Sequence, residues 1–142
     1  MSAYIPKNLR TQIEQSDRCR CCYCQTSEAN SGIPMTYDHI LPRSKGGETI
    51  FDNVCLACRT CNEFKSDITE AIDPLTGETV FLFNPRKQQW SEHFQWSYDG
   101  IRVEGLTSRG RGTIIALRMN NSVILVARRR WVMNGWHPPN DN

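Results

Sequence analysis

The chain has 142 residues, an ordinary apolar fraction of 39% and a formal net charge of +2. That length fits one domain, or one small domain with an appendage. No apolar run is long enough to span a membrane, and +2 is too small a charge to argue by itself for a nucleic-acid partner. Its distribution says more. From Gly100 onward seven arginines face Glu104 and Asp141, so that segment carries +5 and residues 1–99 carry −3; such asymmetry points to a polyanionic partner or to a solvated helix face. The opening MSAYIPKNLR has no apolar h-region, and the seven cysteines are odd in number and clustered. Together they predict reduced thiols in a cytoplasmic protein, not a disulfide framework.

Ile5 to Gln15 is predicted as a short packing helix, with Pro6 in its first turn and Leu9 and Ile13 four apart on one face. Cys21-Cys22-Tyr23-Cys24 follows, and its Cys-x-x-Cys can present two sulfurs to one tetrahedral ion. Redox pairs share that spacing, but a second pair, Cys58 and Cys61, repeats it. Four thiolates predict a closed structural zinc site. Cys55, three before Cys58, gives an alternative pairing; Cys58/Cys61 is preferred because Cys61 then fixes Asn62, leaving Cys19, Cys22 and Cys55 as non-ligands. The gap 25–57 exceeds the zinc-ribbon spacing of about 15–20 residues, so further structure must be folded into it.

Within that gap Met35–Leu41 and Ile50–Leu56 are predicted strands, with Pro42 and Ser-Lys-Gly-Gly between them, and Arg59 to about Thr69 is predicted as a helix stopped by Pro74. Residues 79–83 are a brief apolar run. Residues 94–98 and 101–106 alternate around Asp99-Gly100 and predict a scaffold hairpin. Two helices follow, one carrying Ile114 and Leu117, the other capped by Asn121 or Ser122 and ending at Asn134-Gly135. This divides the chain into a cysteine-pinned core at 1–73 and a hairpin-plus-helices extension at 74–142, packed on the core.

The chemistry concentrates between the cysteine pairs. His39 is the side chain suited to act as a base near neutral pH, and Asp38 and Asn62 offer hard oxygens that suit Mg²⁺ or Mn²⁺ better than zinc. Neighbours on a strand point to opposite faces, so the spacing alone leaves open whether Asp38 and His39 serve one site.

Asp38-His39, Gly46-Gly47, Asn53 and the CxxCNxxK of residues 58–65, with CCYC at 21–24, resemble the HNH endonuclease family in its four-cysteine form. The resemblance covers about residues 19–66, and the arginine-rich C-terminal stretch is similar to tails of small bacterial HNH proteins. It implies an α+β fold: a ββα-metal core pinned by a four-cysteine zinc site at Cys21, Cys24, Cys58 and Cys61, then a β-hairpin and C-terminal helices. It also implies His39 as general base, Asp38 and Asn62 as ligands of one Mg²⁺ or Mn²⁺, Asn53 orienting the loop and holding the His39 ring, and Lys65 facing the scissile phosphate. The expected activity is DNA hydrolysis, with RNA left open. Arg109, Arg111, Arg128, Arg129 and Arg130 are the expected backbone-phosphate contacts. A rival reading is a zinc-ribbon-like nucleic-acid-binding module without catalysis, and a third is a scaffold whose C-terminal helices recruit a partner. A homodimer through those helices is one arrangement the sequence allows.

Overall fold

Helix α1 (Lys7–Ser16) begins after Pro6 and buries Ile13; the structure, a computed structural model, describes residues 4–141. α1 lies against the hairpin described below, and Asp17 at its end is tied into the core. The Asp17 carboxylate accepts from the Leu56 amide at 2.9 Å and from both terminal nitrogens of Arg86 at 2.6 and 3.1 Å. The next loop closes on itself through Cys21 N–H to Thr26 O at 2.8 Å, with Gln25 at φ 66°, and leads into a single turn, α2 (Glu28–Ser31), capped by the Ser27 hydroxyl.

Strand β1 (Thr36–His39) pairs antiparallel with β2 (Val54–Ala57), Thr36 opposite Ala57 and His39 opposite Val54. Both are shorter than the expected 35–41 and 50–56. The chain between them spends its residues on two 3-10 turns, Arg43–Lys45 and Phe51–Asn53. All four β2 residues are buried, which is why this strand reads as a continuous apolar run rather than an alternation. Helix α3 (Arg59–Lys65) follows and packs on β1. It ends at Ser66, φ 47°, short of the expected Thr69. Thr69 is recruited elsewhere: its carbonyl accepts from the Leu82 amide at 3.0 Å.

That bond opens a second hairpin, β3 (Glu70–Ile72) with β4 (Thr79–Phe81). The sequence reading contains no counterpart of β3, since three residues are too few to show a period. The expected division at 73/74 falls in the turn of this hairpin, where the Asp73 carboxylate accepts from Leu75 N at 3.0 Å and Thr76 Oγ1 at 2.9 Å. After α4 (Trp90–His93), β5 (Phe94–Trp96) and β6 (Val103–Gly105) form the hairpin that Asp99-Gly100 predicts. Helix α5 (Ser108–Ala116) is capped by Thr107 and α6 (Ser122–Met133) by the Asn121 side chain. One apolar cluster runs through all of this, joining Ile13, Val54 and Leu56 to Phe83, Phe94, Leu117 and Met119. Among the described residues no helix is long and apolar enough to cross a membrane.

Candidate metal centre and active site

The sulfurs of Cys21, Cys24, Cys58 and Cys61 converge, all lying within 4.8 Å of one another. Cys24 and Cys58 approach to 3.6 Å; the edge of a tetrahedron with Zn–S bonds of about 2.3 Å is about 3.8 Å. Each Cys-x-x-Cys turn aims a backbone N–H at its first sulfur, Cys24 N to Cys21 Sγ and Cys61 N to Cys58 Sγ, both at 3.4 Å. The thiols already act as one set: hydrogen bonding from Cys21, Cys58 and Cys61 draws Cys24 toward the thiolate, while burial pushes Cys21 up. Soft donors, tetrahedral spacing and burial fit a zinc ion with no open coordination position. Cys55 is not in the set; its sulfur lies 3.9 Å from the Tyr23 hydroxyl. The 25–57 gap holds the whole β1–β2 hairpin, so the knot clamps the two ends of that hairpin together.

The end of β1 is built differently. Thr36 and Asp38 share one face of the strand and meet α3, where Asn62 and Lys65 lie one turn apart. The Asn62 amide donates to Thr36 Oγ1 at 2.8 Å, and its side-chain oxygen makes no hydrogen bond among the described residues. The Lys65 ammonium donates to Asp38 Oδ1 at 3.2 Å and to the carbonyls of His39 and Ile40, both at 3.1 Å. The Tyr23 hydroxyl donates to Asp38 Oδ2 at 2.7 Å. Asp38 and Lys65 are therefore a buried ion pair, 3% and 1% exposed. Burial raises the Asp38 carboxyl, and Lys65 and Tyr23 oppose that rise. Sequence reasoning assigns Asp38 to an ion and Lys65 to a phosphate; in this conformation each spends its charge on the other. Among the described residues the four cysteines are the one convergent cluster of three or more His, Cys, Asp or Glu side chains.

His39 leaves the strand on the other face, half-buried, with Nε2 2.9 Å from Thr49 Oγ1. Burial, with Arg43 and Lys65, holds its pKa below the usual histidine value against the pull of Asp38. Asn53 accepts from Leu41 N at 2.9 Å and donates to Leu41 O at 3.1 Å and Glu48 O at 2.9 Å. It does not hold the His39 ring; Thr49 has that place. Gly47 sits so close to Leu41 O and Asn53 Nδ2 that any side chain there would collide with them, and Gly46 turns the loop at φ 90°. Sequence reasoning misses Thr49 and Tyr23 as partners, because a hydroxyl in a loop and a tyrosine between two cysteines carry no spacing signal.

The five arginines divide. Arg129 and Arg130 are exposed on α6 and Arg109 is partly exposed on α5. Arg111 is already engaged, its Nε and Nη2 on the two Asp73 oxygens at 2.9 and 2.8 Å. Arg128 is 0% exposed. Arg128 corrects the expectation, because a fully buried guanidinium cannot reach a phosphate; Arg111 has part of its fork committed to Asp73. A shallow cavity beside Ile40 and Leu41 is lined by Lys45, Lys65, Lys87 and Arg109 with no acidic residue.

Comparison with curated proteins finds no match. Against protein families, residues 21–73 match the HNH endonuclease family model. The match starts on the first zinc-knot cysteine, spans the β1–β2 hairpin and α3, and ends at the Asp73 turn. Residues 21–73 are thus an HNH-endonuclease family domain carrying a four-cysteine metal-binding cluster, followed in the chain by β-hairpins and C-terminal helices.

Proposed function

We propose that this protein is a divalent-metal-dependent endonuclease that hydrolyses DNA phosphodiester bonds with His39 as general base. The observation that carries the reading is His39 itself. It stands at the end of β1 inside the family domain, its ring is fixed by Thr49, and burial keeps it proton-poor at neutral pH. A neutral imidazole can take a proton from water as that water attacks phosphorus in line, with the 3′ oxygen leaving. The products expected are 5′-phosphate and 3′-hydroxyl ends. Lys45, Lys87 and Arg109 beside this strand end, and Arg129 and Arg130 on α6, supply cations for the flanking phosphates.

Asp38 and the unpartnered Asn62 side-chain oxygen would hold the Mg²⁺ or Mn²⁺, which when bound supplies charge stabilisation at the phosphoryl oxygens. Their hard oxygens suit the ion, and Lys65 already marks the Asp38 carboxylate as a cation position. Lys65 must then yield that carboxylate, and its ammonium becomes available to the phosphate. Supercoiled plasmid incubated with Mg²⁺, Mn²⁺ or EDTA tests the reading. Nicked or linear DNA with either ion, none with EDTA, and none from His39→Ala are expected; undiminished cutting by His39→Ala overturns it.

One observation favours the rival reading of a binding module without catalysis: the buried Asp38–Lys65 pair, satisfied without any ion. That reading predicts DNA or RNA binding with no cleavage under any divalent ion.

A further inference from the structure

Arg128 stands out from every other cation in the molecule. It is 0% exposed, yet among the described residues it meets no carboxylate. Its Nη1 donates to Ile101 O and Asn120 Oδ1, both at 3.1 Å, its Nη2 donates to Met119 O at 2.7 Å, and its guanidinium lies 5.2 Å from the Trp96 ring centroid. Those are neutral partners. The Nε is buried with no hydrogen-bond partner among the described residues. Neighbouring His137, held down to about 4 by burial and by Arg128, is neutral and offers no negative charge. A guanidinium stays protonated in proteins, and a buried charge without a countercharge is strongly destabilising. One group nearby can supply the countercharge. Arg128 lines the same cavity as Cys24, Cys58 and Cys61, and these sulfurs are the ionisable groups that act on it. Four thiolates on Zn²⁺ leave two negative charges in excess.

We propose that Arg128 is the counter-cation of the zinc–thiolate centre, so that zinc retention in the family domain and docking of α6 are one coupled equilibrium. The proposal rests on zinc occupying the four-cysteine site. It gives the C-terminal helices a duty toward the core: α6 carries the charge that lets four thiolates stay ionised in an apolar setting. Arg128 is thereby a positioning residue that acts through the sulfurs.

The test is zinc affinity in the full chain, read by chelator competition, with the alkylation rate of the cysteines as a second signal. Arg128→Met keeps the apolar stem and removes the charge. Its zinc affinity should fall about 10–100-fold, the usual effect of losing an outer-shell partner, and its cysteines should alkylate faster. Arg128→Lys keeps the charge without the fork and should recover most of the affinity while remaining less heat-stable than wild type. Asn120→Ala removes one acceptor and keeps the charge; it should lose stability but hold zinc as wild type does. Zinc-loaded Arg128→Met with wild-type affinity overturns the role, as does Arg128→Lys as weak as Arg128→Met. Should Arg128→Met fail to fold, Arg128→Lys decides: near-wild-type affinity supports the role, and an affinity about 10-fold or more below that of Asn120→Ala overturns it. A folded wild-type chain that binds no zinc overturns the metal centre itself, a result distinct from all of these.

Discussion

The four-cysteine knot and the end of β1 both gather donors from distant parts of the sequence, but the protein prepares them in opposite ways. At the knot the sulfurs are already drawn together, with Cys24 and Cys58 at 3.6 Å, and a buried arginine lies alongside without a countercharge of its own. At the end of β1 the one carboxylate, Asp38, is neutralised by the protein's own ammonium and held by a tyrosine. The first region has a geometry and charge that an ion completes. The second is complete without one, so an ion must compete. A tightly held structural metal and an exchangeable catalytic one differ in this respect. Tyr23 links the two regions, because it lies between zinc-knot cysteines and donates to Asp38.

The strongest way to break the contrast is to break the knot. Cys58→Ser removes one of the four sulfurs while leaving a hydroxyl that can cap α3. Structural zinc contributes about 10–16 kcal/mol in zinc-finger peptides, as much as the whole stability of a typical domain, about 5–15 kcal/mol. Zinc content should fall from one per chain to none, and circular dichroism should show loss of the fold. A folded Cys58→Ser protein holding stoichiometric zinc would bring Cys55 back as a ligand.

At the end of β1 the largest effect expected is on rate. His39→Ala should lower cleavage about 10²–10⁴-fold with zinc content and unfolding midpoint near wild type, since the ring makes one hydrogen bond and is half-buried. The pH profile sharpens this. Burial lowers the His39 pKa, so the neutral base should predominate at neutral pH, and the acid limb of kcat/KM, which reports the free enzyme, should fall below about 6.5, the ordinary histidine value. An acid limb above about 7 would contradict His39 as the base.

What can be read in the sequence follows the same divide. The knot is legible because a tetrahedral ion needs paired thiols, and paired thiols leave a spacing. The last helix and the 94–105 hairpin are legible through a cap and a turn dipeptide, and the helix before it through Ile114 and Leu117. At the strand end the residue types are visible but their engagements are not. Lys65 reads as a phosphate contact, and its burial against Asp38 follows from α3 packing on β1, a tertiary event without a local signature. Arg128 misleads for the same reason: a run of three arginines looks like one exposed face, but a helix turns each by a different angle, and the first of the three points inward.

Lys65→Met tests whether the end of β1 really is charge-complete. Removing one partner of a buried ion pair costs about 3–5 kcal/mol, because Asp38 would stay buried with only the Tyr23 hydroxyl. Urea unfolding should show that loss, and Asp38→Asn combined with Lys65→Met should cost less than the sum of the two. The sign with pH is fixed. Burial already raises Asp38 in the folded state, and without the ammonium it rises further, so stability is retained below the unfolded carboxylate pKa and lost as pH climbs through the folded one. Added Mg²⁺ should raise the thermal midpoint of Lys65→Met more than that of wild type if the ion takes the ammonium's place; equal shifts would detach the ion from Asp38.

The smallest effect expected separates the two kinds of arginine. Arg111 is bound at both ends of its fork to Asp73, and that pairing, above all, holds the Asp73 carboxyl well below the usual range. A depressed folded pKa contributes stability above the unfolded value, about 3.9, and that contribution drains away as pH falls below it. Arg111→Met should therefore be less stable than wild type at neutral pH, the gap closing as pH falls below about 4, while DNA affinity stays unchanged. Arg130→Gln should do the reverse. Its side chain is exposed, so stability should hold, while the dependence of DNA binding on salt should become shallower by about one phosphate contact. Fluorescence anisotropy across a salt series distinguishes them, and a salt slope lowered by Arg111→Met instead would return Arg111 to the nucleic-acid face.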